Sequence, residues 1–371
     1  MPPPASFRWN RSECAETPLN LSATLASGQS FRWRRDESGV WWGVVGQSVV
    51  AAWQAEGEPE SPLYWQTFPE ADRWDILADY FRLNVDLDTL YTEWSQAEPR
   101  IAEAVDTFRG LRILRQPPLE CFFAFQCAAC NTVVKIERSV YRLAARYGQR
   151  LLAGETPPQP SPSQGEGASR RSPSPSPGER VPSGSPPPYE GESHRLAPPP
   201  YEGESHRLAP PPYEGGGRGE VKPFYAFPTL AALATADEAA LRADLWGYRA
   251  PRVIALARHL QTLPPGWLES LRDVPYAEAK AALTGLFGVG AKLADCICLF
   301  ALDKDEAVPV DTHVRQIACR LFAPELAGKS LTPRIYDALA DAYRARFGPY
   351  AGWAQQVLFF GELRRAQAYK V

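Results

Sequence analysis

The chain of 371 residues has a single methionine, four histidines and no apolar run that approaches the ~20 residues needed to cross a bilayer. The lack of such a run excludes a helical membrane protein. The start, Met1-Pro2-Pro3-Pro4-Ala5-Ser6, has neither the basic flank nor the apolar core of a secretion signal. Seven cysteines are an odd and modest count, and without a signal they read as reduced thiols of a cytosolic protein. Neither sign of charge dominates. The 40 Lys+Arg stand against 43 Asp+Glu, and the net −3 excludes a uniformly basic nucleic-acid binder while leaving room for a local basic surface.

One stretch lacks more than the rest. Residues 154–220 have no Phe, Trp, Ile, Met or Cys, yet hold 17 of the 37 prolines. The unit PPPYEGESHRLA occupies 186–197 and again 198–209, and a third copy starts at Pro210 and decays after Glu214. Such a segment cannot bury enough apolar surface to offset its chain entropy, so it is expected to be a disordered insert with polyproline II stretches. Its 6 basic and 9 acidic residues leave 34 of each sign elsewhere, so the acidity of the chain belongs to the insert. The repeated Pro-Pro-Pro-Tyr has the chemistry of a ligand for a proline-binding domain, although a duplicated neutral insertion needs no function.

The chain as a whole is 44% hydrophobic, enough for one large or two ordinary domains. Residues 6 to about 65 are rich in Trp, Val and Phe with Gly and Asp-Glu-Ser-Gly breaks, the texture of short antiparallel strands; 30–34 and 40–45 are examples, with a short helix at 19–26. From about residue 70 the period becomes helical. Helices are expected over 101–108, 119–147, 230–245, 250–263, 276–287, 291–302, 312–322, 333–347 and 351–365. The insert then falls between two helices, in an exposed loop, where length is tolerated.

The segment that carries chemistry is Leu283-Thr284-Gly285-Leu286-Phe287-Gly288-Val289-Gly290-Ala291-Lys292. It reads as helix, Gly-Val-Gly hairpin, helix. Two glycines in three residues allow positive φ and close approach of another backbone. The second helix starts at about Gly290, so the free amides of Gly288, Val289 and Gly290 and of the first turn form an anion site that a DNA phosphate fits; the plainer reading is a glycine-capped link between packed helices. Further on comes Ala307-Val308-Pro309-Val310-Asp311-Thr312-His313. Pro309 keeps Val308 extended, and Asp311 stands where a helix N-cap belongs.

Taken together, the run GVGAKLADCICLFALDKDEAVPVDTH at 288–313 resembles the helix-hairpin-helix segment of the 8-oxoguanine DNA glycosylase family, followed by its catalytic Asp loop. Ser27-Gly28-Gln29-Ser30-Phe31-Arg32-Trp33 is similar to the family's SGQSFRW, Gly247-Tyr248-Arg249-Ala250 to its GYRA, and 347–355 to its FGPYAGWAQ. The motifs keep the family's order and cover everything except the insert. The resemblance implies an α+β chain. An N-terminal antiparallel β domain (1–68) would precede a mainly α-helical glycosylase body (69–153 and 221–371), interrupted by the disordered insert (154–220).

The resemblance also implies roles. Lys292 would be the nucleophile, its amine attacking the sugar carbon that bears the damaged base to give a Schiff base. Only a neutral amine can do so, so its pKa of about 10.4 must fall or its proton must be removed; burial beside a helix N-terminus would lower it. Asp311 would stay ionised near the sugar and stabilise the developing positive charge. A flipped 8-oxoguanine would be read by the Gly28 carbonyl and by Gln355, stacked between Phe359 and Cys296, and lined by Pro309. His313 would contact a phosphate, with Glu362 orienting it. Tyr248 would fill the gap in the duplex, Arg249 would bond the widowed cytosine, and Asn131 and Lys135 would help read it.

Four departures stand out. Cys130 replaces the family's usual Asn, Lys135 its Arg, Glu362 its Asp, and Phe287 the Pro of its Leu-Pro-Gly hairpin. Lys lacks the planar fork of Arg, so discrimination for cytosine is expected to be weaker than the family pattern suggests, with some preference kept by Arg249. Cys127-x-x-Cys130 has no second pair at ligand spacing, and neither a metal nor a cofactor is expected. The partner is expected to be duplex DNA containing 8-oxoguanine opposite cytosine, with no membrane and a monomeric enzyme. It would work in the cytoplasm of a prokaryote or the nucleus of a eukaryote, and it would not be secreted. The activity implied is base-excision repair by a glycosylase with β-lyase activity. The competing readings are a sister glycosylase for other damaged bases and an inactive lesion-binding module. SGQSFRW, Gln355 and Phe359 weigh against the first of these. Lys292 with Asp311 weighs against the second.

Overall fold

A computed structural model describes residues 3–4, 8–14, 16–128, 131–152 and 223–368, with side chains to 362. The expectations for the 154–220 insert and for Cys130 lie outside the described residues.

Five strands make one antiparallel sheet: β1 (Asn10–Ser12), β2 (Arg34–Arg35), β3 (Trp41–Val45), β4 (Ser48–Trp53) and β5 (Leu63–Phe68), in the order β1-β5-β4-β3-β2. Both faces are buried. Strand alternation sends Trp41, Val45, Val50, Ala52 and Trp65 into one cluster and Trp42, Val44, Val49, Ala51 and Trp53 into another. Phe224, Leu151 and Leu152, from the two ends of the insert, cover the second face.

Around and after the sheet come α1 (Leu21–Ala26), α2 (Trp74–Tyr80), α3 (Leu87–Ala97), α4 (Pro99–Phe108), α5 (Pro118–Gln126) and α6 (Val133–Tyr147). Beyond the insert follow α7 (Leu230–Ala234), α8 (Glu238–Leu241), α9 (Ala250–Leu260), α10 (Trp267–Ser270), α11 (Tyr276–Thr284), α12 (Ala291–Ala301), α13 (Thr312–Leu321), α14 (Pro333–Phe347) and α15 (Ala351–Ala368). A single large core runs through this helical body, from Phe31 to Phe360. The fold is the expected α+β class.

Three local expectations change. The 30–34 segment is a buried turn, with the strand reduced to Arg34–Arg35. Gln29 explains it: its side chain donates to the carbonyls of Thr24 and Arg112 (3.1 and 2.8 Å) and accepts from the Leu114 amide (2.8 Å). It thus replaces the ladder bonds that a strand would have made. The helix expected over 119–147 is two helices. The second starts where the Thr132 hydroxyl caps the Lys135 amide. The helix expected over 230–245 breaks up and ends in a turn where Leu245 takes φ +72, which stops helical hydrogen bonding.

Candidate active site

The Gly-Val-Gly hairpin lies between α11 and α12. Val289 is its buried anchor, and Gly288 takes φ +73. A Cβ at Gly288 would also come within 2.8 Å of the Arg252 guanidinium, so side-chain bulk is excluded on two counts. Gly290 starts α12 with no side-chain cap. The first amides of the helix therefore lack an intrahelical partner and face the turn. Phe287 stands at the tip and is 75% exposed, the most exposed large apolar side chain among the described residues.

Lys292 is the second residue of α12. Its ammonium interacts electrostatically with the Cys296 sulfur one turn along the helix and lies 5.7 Å from the centre of the Phe125 ring. Asp311 faces it closely enough to raise its pKa. The Cys296 sulfur raises that pKa most, burial pulls it back and Asp311 adds to the rise, so the net direction is up. Burial does act as foreseen, but two electron-rich partners outweigh it. Burial pushes the Cys296 thiol up in turn, against the pull of Lys292.

Asp311 is the N-cap of α13, and its carboxylate accepts from the Val314 amide at 2.8 Å. The cap reading and the nearness to Lys292 therefore hold together. Pro309 is buried in the same loop. The loop is pressed onto α15, where the Gly352 amide donates to the Asp305 carbonyl at 2.8 Å and a Cβ at Gly352 would meet the Ala307 carbonyl at 2.3 Å. Trp353 donates to the Asp305 carboxylate at 2.8 Å. The FGPYAGWAQ stretch thus carries the contact that sets loop against helix.

α15 also meets the first motif. The Gln356 amide donates to the Ser27 carbonyl at 3.1 Å, beside Gly28, which takes φ +78 and is half-buried. The neighbouring Gln355 is 3% exposed and its Oε1 has no hydrogen-bond partner. A buried acceptor in that state costs free energy until a donor arrives. Phe359 is half-buried, with its ring 6.1 Å from that of His313, which is exposed. Glu362 ion-pairs with Arg320 at 2.6 Å, a partner that sequence reasoning did not foresee.

The second group of residues sits at the turn before α9. Tyr248 is 62% exposed, and the Arg249 guanidinium stacks on its ring at 4.4 Å. Arg249 itself is largely buried and its charge reaches the Cys127 thiol, which burial raises. The Asn131 side chain donates weakly to the Cys127 carbonyl at 3.4 Å, and Lys135 is exposed on the first turn of α6. No cluster of three His, Cys, Asp or Glu able to hold a metal occurs among the described residues. Likewise no described helix is long and apolar enough to cross a membrane.

Residues 11–122 match the profile described as the 8-oxoguanine DNA glycosylase N-terminal domain, and 217–337 match that of the HhH-GPD superfamily base excision DNA repair proteins. The N-glycosylase/DNA lyase OGG1 of Arabidopsis thaliana is 31% identical over 363 residues, which span 96% of this chain and 80% of the relative. The chain belongs to the 8-oxoguanine DNA glycosylase family. An N-glycosylase/DNA lyase of Saccharomyces cerevisiae is 27% identical, with 96% of this chain and 87% of the relative covered. In fold, the glycosylase is similar to the 8-oxoguanine glycosylase/lyase of Clostridium acetobutylicum solved with duplex DNA (TM-score 0.66, 22% identity, 98% and 99% covered). It is equally similar to MBOgg1 solved with a low-affinity DNA ligand (TM-score 0.67, 22% identity, 97% and 100% covered). The protein is a base-excision enzyme of the N-glycosylase/DNA lyase class.

In this glycosylase Lys292, Cys296 and Asp311 are brought together, as are the Gly28 turn with α15 and Phe359 with His313. Sequence reasoning missed Phe125 beneath Lys292 and Arg252 against the hairpin. Neither carries a local signal, because each reaches the site from a helix remote in sequence.

Proposed function

We propose that this glycosylase flips 8-oxoguanine out of duplex DNA and removes it through a Schiff base on Lys292. The observation that carries the reading is the convergence of an amine, a thiol and a carboxylate at Lys292, Cys296 and Asp311 beside an uncapped helix start. Lys292 Nζ bonds to the sugar C1′ as the bond to the base breaks with its electron pair on the base. Because the amine is held as ammonium in the free enzyme, it must give up a proton before it attacks. Asp311 stabilises the positive charge that develops on the sugar. Ring opening gives the imine, and loss of a C2′ proton expels the 3′-phosphate, which is the lyase step.

The unpartnered Gln355 oxygen supports a base whose Watson–Crick edge donates hydrogen bonds, as a guanine edge does. The Gly28 carbonyl accepts the N–H that 8-oxoguanine has at ring position seven, where guanine has a lone pair. Phe359 and Cys296 stack the ring and Pro309 lines the pocket. The amides of Gly288, Val289 and Gly290 and the His313 ring bind phosphates. Tyr248 fills the gap, and Arg249, Asn131 and Lys135 meet the opposite cytosine. The working species is one polypeptide on duplex DNA, with the domain limits expected from sequence.

The test is borohydride trapping on duplexes that differ in one base. A covalent adduct with 8-oxoguanine opposite cytosine, and none with guanine, is the expected result. Adducts only with other damaged bases would move the enzyme to a sister specificity, and binding without any product would make it a lesion-marking module.

A further inference from the structure

Asp295 is fully buried on α12, three residues beyond Lys292, yet sequence reasoning gave it no part in the site. Two hydroxyls donate to its carboxylate, Tyr276 and Tyr336, each at 2.6 Å, and the Lys280 ammonium ion-pairs with it at 3.1 Å. Tyr276 and Lys280 lie on α11, and Tyr336 on α14. Of these, Tyr336 does something more. Its oxygen accepts from the Val310 amide at 3.1 Å, one residue before Asp311. Tyr336 therefore links the helix that carries Lys292 to the backbone that carries Asp311, through Asp295.

We propose that Tyr336, held by Asp295, is a positioning residue that sets the Asp311 carboxylate against the Lys292 amine. The proposal rests on the reading of Lys292 and Asp311 given above. A hydroxyl that gives its proton to a carboxylate presents its lone pairs in a fixed direction, here to the Val310 amide. That amide is buried and would otherwise be unpaired, so the loop has one preferred height above α12. Neither Tyr336 nor Asp295 touches the reacting atoms. Misplacing a reacting group by ~1 Å can cost ~10²-fold in rate, so a clamp of this kind has kinetic leverage.

The fold supplies a matched control. Tyr276→Phe and Tyr336→Phe each delete one 2.6 Å donor to Asp295; Tyr276→Phe also releases Lys280, which donates to the Tyr276 hydroxyl at 3.2 Å, and only Tyr336→Phe releases the Val310 amide. In the full-length enzyme we would measure single-turnover trapping on a duplex with a preformed abasic site, affinity for that duplex, melting temperature and hydrogen exchange at Val310. Each variant is assayed well below its own melting temperature. Tyr336→Phe is expected to trap about 10-fold or more slowly, to bind within about 3-fold of wild type and to exchange faster at Val310. Tyr276→Phe is expected to lose a similar amount of thermal stability, keep its trapping rate within about 2-fold and leave Val310 protected. Equal slowing of both variants, or wild-type trapping by Tyr336→Phe, overturns the proposal. A wild-type enzyme that traps on the abasic site but not on 8-oxoguanine refutes the base assignment and leaves this comparison readable. One that traps on neither removes the reaction on which both readings rest.

Discussion

The Asp311 loop and the Arg249 turn each present candidate site residues just before a helix, but they are held in different ways. The Asp311 loop is tied from several sides: Tyr336 on α14 binds Val310, Gly352 on α15 binds Asp305, and Trp353 bonds the Asp305 side chain. The Arg249 turn is anchored by the fully buried Trp246, whose Nε1 donates to the Ser139 carbonyl at 3.3 Å, and by the buried Asp244, which ion-pairs with Arg146 of α6 at 2.6 Å. It also contains Leu245 at φ +72, a left-handed conformation that costs a non-glycine residue about 1–2 kcal/mol. Tyr248 projects from it into solvent. Groups that do chemistry must be in place before substrate arrives, because reorganisation adds to the barrier. Groups that meet a second DNA strand can be placed by that strand. The difference predicts that changes on the lesion side will act on rate, and changes on the opposite side on selectivity.

The sharpest break of that contrast is Lys292→Gln. Base release and trapping should be abolished while lesion binding persists, since phosphate and pocket contacts are spared. Near-wild-type excision would end the nucleophile assignment. Next is Asp311→Asn, which caps α13 about as well as Asp. Its activity should drop by orders of magnitude with a loss of only a few degrees in melting temperature. A large loss of stability with little kinetic change would make Asp311 structural.

On the opposite side the effects should be smaller and of another kind. Lys135→Arg should raise the cytosine-over-adenine excision ratio by roughly one to two powers of ten, the equivalent of a bidentate contact worth ~1–3 kcal/mol. An unchanged ratio at fixed salt would mean that Lys135 does not reach the base. Glu137, on the same helix, offers a pH test. Burial pushes its carboxyl up to about 7, so the folded state holds this proton more tightly than the unfolded chain does. The contribution is fully present below the ordinary value of 4.5 and is lost as pH rises through about 7. Glu137→Gln should therefore gain a few degrees over wild type at pH 8 and little at pH 4.5. A difference that does not vary with pH would put Glu137 in water. The smallest effect expected is from replacing 154–220 with a short Gly/Ser linker, which should leave melting temperature and excision nearly unchanged, since closure entropy depends weakly on length. Misfolding would place the segment inside the domain.

Much of this was legible in the sequence because the signals are local. Helical period marks α12 to α15, and a glycine pair marks the hairpin. Asp311 as an N-cap follows from Pro309 and the helix behind it. What escaped depends on partners far along the chain. Gln29 looks like part of a strand until Arg112 and Leu114 supply its bonds. The pKa of Lys292 follows burial until Cys296 and Asp311 are set beside it. Tyr336 is one tyrosine on an amphipathic helix until Asp295 and Val310 are found on either side of its hydroxyl.

The two ends of the insert meet in a short antiparallel bridge between Arg150 and Tyr225, where Leu151 donates to the Phe224 carbonyl and Ala226 to the Gln149 carbonyl at 2.9 and 2.8 Å. Phe224 and Leu151 then pack on the outer face of the sheet. The body of the enzyme is thus closed independently of whatever chain connects those ends. For protein engineering this makes the 152–223 junction a place where added sequence leaves the contacts of the folded body in place.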